Sequence, residues 1–202
     1  MISDREGKFI AFEGLDGSGS STQVDLLIAN LKKIGVKAFS TKEPTNNLIG
    51  GLIRGALTKD WIASPECLQL LFAADRAHHL DRTILPNLAK GNFIVTDRYY
   101  FSTIAFGSIG VSQEWLKALN SEFPVPDITF LIKVSPKECI RRIGKSRAEF
   151  ELFEEENKLA KVWQTYSALA EDKKNKIRVI DGEQDIAVIA EEIFDIVKKE
   201  LL

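Results

Sequence analysis

A glycine-rich segment near the start of the chain has the composition of a phosphate-binding loop. It begins at Gly14 and lies between an apolar run and a segment of helical periodicity. This is the context of a P-loop of the form GxxxxGK[ST], in which glycines let backbone N–H groups converge on one phosphate and the helix dipole adds a favourable potential. The pattern predicts a nucleotide-phosphate site made of Gly14, Gly17, Ser18, Gly19, Ser20, Ser21 and Thr22. The Ser21 hydroxyl holds the position that would ligate magnesium.

One position of this loop departs from the pattern. The lysine position holds Ser20, and a neutral hydroxyl cannot supply the positive charge that normally bridges the β- and γ-phosphates. On the loop alone, two interpretations stay open: a phosphate site, and a glycine-rich turn without a ligand.

Two further patterns in the middle of the chain could do chemistry. Phe72 and Arg76 are four residues apart, so on a helix they share one face and present an aromatic ring beside a forked donor. Such a pair can stack on a pyrimidine base and bond to its carbonyl oxygen, or it can serve only core packing and a surface ion pair. Asp97 and Arg98 end an apolar run, where the arginine can grip a phosphate and the aspartate can hold magnesium, or the two can form a structural ion pair.

The elements that must position these residues alternate along the chain. Apolar runs at 8–13, 36–40, 93–96, 128–134 and 177–180 are separated by mostly helical stretches. The first helix carries an apolar stripe of Val24, Leu27, Ile28 and Leu31, and the last one carries Ile186, Ile189, Ala190 and Ile193. This alternation predicts an α/β fold with a five-stranded parallel sheet flanked by helices on both faces, and ligands bind at the carboxyl ends of such strands.

The composition narrows the function classes. The chain has 202 residues with 45% hydrophobic and 28% charged residues and a formal net charge of -2, which disfavours a polybasic nucleic-acid or membrane-surface binder. Cys67 and Cys139 form no CxxC pair, so we expect both to be buried in a reducing compartment. The polar segment 1–8 and the lack of an apolar run of ~20 residues lead us to expect one cytoplasmic domain over 1–202, without membrane or nucleic-acid partners.

Several segments together resemble one family. FEGLDGSG at the first strand is followed by KEPT from Lys42, LFAADR from Leu71, DRYYFSTIAF from Asp97 and VIDG from Val179. In this order and spacing the set closely resembles thymidylate kinase, from about Phe9 to the C-terminus. The resemblance implies a three-layer P-loop kinase fold, transfer of the ATP γ-phosphate to dTMP with Mg²⁺, and a homodimer.

The resemblance also implies roles for individual residues. It places Arg98 on the acceptor monophosphate, Asp16 near the 3′-hydroxyl, and Glu43 and Pro44 beside both phosphate sites. The residues that it places around the nucleotide are Phe72, Arg76, Ser102, Thr103 and Phe106. An aromatic ring at Phe106 would crowd a ribose 2′-hydroxyl and favour deoxyribose.

The family brings positive charge to the migrating phosphate from the loop or from a flexible lid, and this loop carries no cation. The candidate lid, around 141–156, contains Arg141, Arg142, Lys145 and Arg147. Arg141 and Arg142 are expected beside the adenine, and Arg147 or Lys145 at the phosphates, or this basic cluster is only a solvated helix face. Two alternatives stay open: a nucleotide-binding protein with little catalysis because of Ser20, and a kinase of another nucleoside monophosphate such as dUMP.

Overall fold

The fold is built on a five-stranded sheet. The computed structural model describes residues 6–144 and 149–202, with the backbone alone for 149–155. The strands are β1 (Phe9–Gly14), β2 (Ala38–Lys42), β3 (Phe93–Asp97), β4 (Ile128–Lys133) and β5 (Ile177–Asp181). The α-helices are α1 (Ser20–Lys33), α2 (Leu48–Leu57), α3 (Pro65–His79), α4 (Leu85–Leu88), α5 (Tyr100–Gly107), α6 (Gln113–Asn120), α7 (Pro136–Ile143), α8 (Glu149–Glu171) and α9 (Ile186–Leu201). A π-helical turn, Leu80–Ile84, joins α3 to α4, and a short 3₁₀ helix, Lys173–Asn175, precedes β5.

All neighbouring strands in the sheet are parallel, in the order β2-β3-β1-β4-β5. The central strand β1 is buried along its whole length, which requires cover on both faces of the sheet. Helices α1 and α9 pack against each other, as do α5 and α8, and each pair contacts sheet strands. The predicted α/β fold with a five-stranded parallel sheet is confirmed.

The two predicted apolar stripes have different outcomes. Val24, Leu27, Ile28 and Leu31 are buried on α1, as expected. On α9, Ile189 and Ile193 are buried, whereas Ile186, at the start of the predicted stripe, is 60% exposed. Ile186 is the first residue of α9 and lines an open cavity beside the glycine-rich loop, because the helix reaches the sheet only one turn later.

The second strand lies two residues further along the chain than the sequence predicted. Pairing with β3 begins at Ala38 opposite Phe93 and continues to Lys42 opposite Asp97. Residues 36 and 37 instead follow the turn at Gly35, which has φ +83° and ends the first helix. The shift brings the end of β2 level with Asp97, so residues 43 and 44 leave the sheet beside the end of β3.

The cysteines are both free. Cys139 is fully buried, as expected, but Cys67 on α3 is partly exposed, so the expectation for Cys67 was wrong. Among the helices of the described residues, none is long and apolar enough to cross a membrane.

Candidate active site

The glycine-rich loop joins β1 to α1. Gly17 and Gly19 have φ values of +81° and +93°, a conformation that L side chains rarely adopt. A Cβ at Gly17 would also lie 2.6 Å from the backbone oxygen of Cys139, because α7 packs closely over the loop. The first backbone N–H groups of α1, which include those of Ser20, Ser21 and Thr22, have no carbonyl partner within the helix. The loop and this helix terminus together form an arrangement suited to binding a phosphate group.

Two loop hydroxyls converge on one carboxylate. Ser20 donates from Oγ to Asp97 Oδ1 at 2.8 Å, and Ser21 donates from Oγ to Asp97 Oδ2. Asp97 is the last residue of β3, and β3 lies beside β1, so the parallel pairing brings its side chain to the loop. Ser20 therefore has a hydrogen-bonding role toward Asp97 in place of the usual lysine charge.

A cavity of about 610 Å³, which we call the loop cavity, opens over this cluster. Its walls include the whole loop from 15 to 22, Asp97 and Arg98, and it continues to Arg141, Arg142, Gly182 and Ile186. Arg142 donates from Nη1 to the Ser18 oxygen at 3.3 Å and from Nη2 to the Gly182 oxygen at 3.1 Å. Arg141 is 71% exposed and bonds to Glu138. Of the two arginines, Arg142 is thus the one held against the loop.

The other predicted lid cations, Lys145 and Arg147, lie outside the described residues. The described parts of the predicted lid are the end of α7, which contains Arg141 and Arg142, and the start of α8 from residue 149.

A second cavity, of about 270 Å³, lies between α3 and α5, and we call it the α3–α5 cavity. All nine residues that the sequence assigned to the acceptor nucleotide line it, namely Asp16, Glu43, Pro44, Phe72, Arg76, Arg98, Ser102, Thr103 and Phe106. Asp16 and Arg98 line the loop cavity as well, so the two cavities meet at this pair.

Arg76 is fixed in the wall of the α3–α5 cavity. Its side chain is 1% exposed and donates from Nε to Glu43 at 2.9 Å, from Nη1 to Asn120 at 2.5 Å and from Nη2 to Thr103 at 2.9 Å. The guanidinium also lies over the ring of Tyr99, 5.3 Å from its centroid. Arg76 is therefore a buried, preoriented charge, and the alternative of a surface ion pair is wrong. Phe72, one turn earlier on α3, is partly exposed to the same cavity.

Arg98 spans the junction of the two cavities. Its backbone has φ +72°, an uncommon value for a residue with a side chain, and this turn follows directly on the last residue of β3. The guanidinium donates to the Gly14 oxygen at 3.1 Å, to Ser102 Oγ at 3.0 Å and to Asp16 Oδ1 at 2.6 Å, and it lies over the Phe106 ring. This arrangement suits a group that grips an anion between the two cavities.

Sequence reasoning missed several residues around these cavities. Gln69, Tyr99 and Lys158 line the α3–α5 cavity, and Asn120 and His79 hold Arg76 and Glu43 in place. Gln69 could have been found from its spacing, since it lies one turn before Phe72 on the same helix face. Tyr99 follows Arg98 directly, and His79 lies one turn after Arg76 on α3, so both also had a local signal. Asn120 and Lys158 come from distant elements, α6 and α8. Within the described part of the chain, no group of three or more His, Cys, Asp and Glu side chains could hold a metal ion.

The buried carboxylate of Glu13 was also missed. It lies on β1 beneath Arg98 and accepts hydrogen bonds from Ser102, Tyr166 and the backbone of Tyr99. Burial raises the pKa of Glu13 to about 7, although the Ser102 hydrogen bond, the Arg98 charge and the hydrogen bonds from Tyr166 and Tyr99 each lower it. The motif FEG marks this residue in the sequence without indicating its environment.

Known proteins resemble the chain over nearly its full length. The family model described as thymidylate kinase matches residues 12–193. A probable thymidylate kinase of Pyrococcus abyssi is 40% identical over 97% of this chain and 98% of its own length. The probable thymidylate kinase of Sulfolobus acidocaldarius is 39% identical over 93% of this chain and 95% of its own length. That of Pyrobaculum aerophilum is 36% identical over 95% of this chain and 96% of its own length. The chain, with its phosphate loop and two joined cavities, belongs to the thymidylate kinase family.

Proposed function

We propose that this protein transfers the γ-phosphoryl group of ATP to dTMP, giving dTDP and ADP. The observation that carries the proposal is the junction of the two cavities at Asp16 and Arg98. A donor triphosphate on the loop and an acceptor monophosphate in the α3–α5 cavity would then meet at one arginine. Membership of the thymidylate kinase family supports the same reaction.

The α3–α5 cavity suits a thymine nucleotide. Phe72 offers a ring for stacking, and the Arg76 guanidinium beside Thr103 offers donors to a base carbonyl, which favours thymine or uracil over cytosine. Phe106 and Ser102 would flank the sugar and phosphate, and Phe106 would disfavour a ribose 2′-hydroxyl. Asp16 would bind the 3′-hydroxyl, and Glu43 with Pro44 would border the phosphates.

The donor site suits ATP with Mg²⁺. Magnesium takes a few protein oxygens and completes its octahedral shell with phosphates and water, so it needs no cage of three protein ligands. The hydroxyl of Ser21 and the carboxylate of Asp97 already touch, which places two hard oxygens at one point of the loop. These two residues would hold the magnesium ion, which would supply positive charge to neutralise part of the charge of the donor phosphates. Arg141 would lie at the adenine end of the loop cavity.

The reaction needs a nucleophile and positive charge. An oxygen of the acceptor phosphate attacks the γ-phosphorus while the bond between that phosphorus and the β,γ-bridging oxygen breaks, and ADP leaves. Arg98 would hold the acceptor for in-line attack. We propose that Arg147 or Lys145 of the lid supplies the charge that Ser20 does not, with Asp97, Arg98 and Arg147 as the catalytic group.

The remaining properties follow from the family. We propose one kinase domain over 1–202 with a lid around 141–156, a cytoplasmic location and a homodimer. Exposed leucines on α2 and α3 support a subunit contact, since Leu48 is 82%, Leu52 45% and Leu70 51% exposed. Light scattering at micromolar concentration should report a dimer, and a monomer alone would refute the proposed homodimer.

The activity is tested by ADP formation from MgATP with dTMP, dUMP, CMP or thymidine as acceptor. We expect dTMP to give the highest kcat/KM and thymidine, which lacks the acceptor phosphate, to give no turnover. No turnover with any acceptor, together with tight binding of ATP and dTMP, would favour the binding-protein alternative that Ser20 raises. A higher kcat/KM for dUMP than for dTMP would move the proposal to a uridylate substrate.

A further inference from the structure

A cluster of three side chains, Glu13 and Tyr166, which are buried, and Ser102, which is partly exposed, lies directly behind Arg98. Glu13 is 1% exposed, and both of its carboxylate oxygens are occupied. Oε1 accepts from the backbone N–H groups of Tyr99, at 3.0 Å, and Ser102, at 3.2 Å. Oε2 accepts from the hydroxyls of Ser102 and Tyr166, the latter at 2.8 Å. Such complete bonding fixes the carboxylate in one orientation.

Ser102 connects this carboxylate to Arg98. Its hydroxyl has one hydrogen, and that hydrogen is donated to Glu13. The lone pairs of Ser102 Oγ are then free to accept from Arg98 Nη1, which lies 3.0 Å away. When Glu13 is ionised, as it mostly is above its pKa of about 7, its carboxylate therefore makes the serine an acceptor toward the guanidinium. A hydrogen-bond donor at the position of Glu13 would reverse these roles, because Ser102 Oγ would then accept from it and its hydrogen would point toward the guanidinium.

Tyr166 closes the cluster from α8. Its hydroxyl lies 2.9 Å from Ser102 Oγ as well as 2.8 Å from Glu13 Oε2, and the residue is fully buried. Burial and the neighbouring Glu13 raise the pKa of the Tyr166 phenol well above its ordinary value, so the phenol stays protonated and keeps donating. Tyr166 thus connects α8, which begins within the predicted lid segment, to Arg98.

We propose that Glu13, Ser102 and Tyr166 form a positioning cluster that sets the Arg98 guanidinium in the direction of the acceptor phosphate, with Glu13 and Tyr166 acting through Ser102. The inference rests on the proposed function, because it takes Arg98 as the acceptor-phosphate group. Glu13 and Tyr166 lie behind Arg98 rather than on the cavity wall and are positioning residues.

The geometry of Arg98 explains why such a cluster is needed. Its backbone is held in the left-handed region, a conformation that residues with a side chain rarely adopt. Among the described residues, its guanidinium forms an ion pair on the solvent side with Asp16, whose own side chain is 62% exposed. The contacts with Ser102 and the Gly14 oxygen are the ones that fix it from within.

The main test is Tyr166→Phe, which removes one hydroxyl and keeps the buried ring. Binding of dTMP and of thymidine is measured by calorimetry, and KM and kcat are measured for dTMP and ATP. We expect dTMP affinity to fall about 5- to 20-fold while thymidine affinity and the KM for ATP stay within twofold, because only the phosphate contact depends on the aim of Arg98. Glu13→Gln, which places an amide donor beside Ser102, should cost more in dTMP affinity than Tyr166→Phe.

Tyr100→Phe is the matched control. Tyr100 is also a buried tyrosine beside the cluster, but its hydroxyl makes no hydrogen bond to Glu13 among the described residues. Removing the Tyr100 hydroxyl should leave the affinity for dTMP within twofold of the wild-type value. A thermal melt of each variant checks that the fold is intact.

A double-mutant cycle distinguishes positioning from general packing. In a Ser102→Ala background, Tyr166→Phe should lower dTMP affinity by less than a further twofold, because the connection to Arg98 is already gone. Fully multiplicative losses, or equal losses for dTMP and thymidine, would overturn the inference.

Wild-type protein that binds dTMP but does not phosphorylate it would overturn the proposed function alone, while the binding measurements would still decide the role of the cluster. Wild-type protein that does not bind dTMP would overturn both.

Discussion

Ser20 Oγ lies 2.8 Å from Asp97 Oδ1, so the residue at the usual lysine position of the loop is hydrogen-bonded to the carboxylate that ends β3. Because Ser21 bonds to the other oxygen of the same carboxylate, Asp97 is held by two adjacent hydroxyls. The loop therefore has no lysine charge at this position, but the Ser20 hydroxyl contacts and orients Asp97, the proposed magnesium ligand.

Ser20→Ala tests this contact. Losing a hydrogen bond to a charged group should cost about 1.5–3 kcal/mol, which corresponds to a decrease of about 10- to 150-fold in kcat/KM for MgATP. The KM for dTMP should change little, since Ser20 lines only the loop cavity. Steady-state kinetics measure both values. Ser121→Ala, on an exposed turn away from both cavities, is the control, and equal rates for the two variants would refute the role of Ser20.

Phe72→Ala should weaken dTMP binding. Stacking of a base on an aromatic side chain is worth roughly 1–3 kcal/mol, so the Kd for dTMP should rise about 5- to 150-fold. Calorimetry with dTMP provides the measurement. Phe39→Ala is a suitable control, because Phe39 is a half-exposed phenylalanine on the edge strand β2. Unchanged dTMP affinity in folded Phe72→Ala protein would show that the ring does not stack on the base.

Arg142 and Arg141 should differ in their effects on ATP. Arg142 bonds to the loop and to Gly182, whereas Arg141 extends to solvent with Glu138 as its partner. Replacement of Arg142 by alanine should therefore raise the KM for ATP about tenfold or more, and Arg141→Ala should raise it less than threefold. The two variants are matched in chemistry and lie on the same helix. A larger effect from Arg141→Ala than from Arg142→Ala would contradict this ranking of the two arginines.

The lid cations are tested in the same assay. If Arg147 or Lys145 supplies the missing charge, Arg147→Ala or Lys145→Ala should lower kcat by at least tenfold with a smaller effect on the KM for ATP, because the contact would be strongest in the transition state. Wild-type rates in both variants would leave the kinase assignment intact and refute this source of the charge.

Glu13 should make stability depend on pH. Its pKa of about 7 in the folded protein lies above its ordinary value of 4.5, so the folded state binds more protons than the unfolded state between these two values. The free energy of unfolding should therefore fall by about 3 kcal/mol from this group as pH rises through that window. The free energy of unfolding, measured with urea at pH 5 and at pH 8, should fall by about this amount more for the wild type than for Glu13→Gln. Parallel pH curves for the two proteins would contradict the raised pKa.

The sequence by itself determined the features that depend on local order. The five apolar runs predicted the strands, and the glycine spacing placed the phosphate loop between β1 and α1, because both patterns reflect the geometry of a few consecutive residues. The spacing of Phe72 and Arg76 predicted one helix face, and the resemblance supplied the other acceptor residues that line the same cavity. Strand bounds were less certain, as the shift of β2 shows, since a strand ends where its neighbour stops pairing.

Only the tertiary structure decided which distant groups meet. Glu13 and Tyr166 are 153 residues apart in the chain, and Ser20 and Asp97 are 77 apart, yet each pair is hydrogen-bonded. These contacts depend on the strand order, which puts β3 beside β1, and on the packing of α8 against α5. The burial of Arg76 and the raised pKa of Glu13 follow from the same packing, because desolvation depends on everything around a group and no local pattern of residues encodes it.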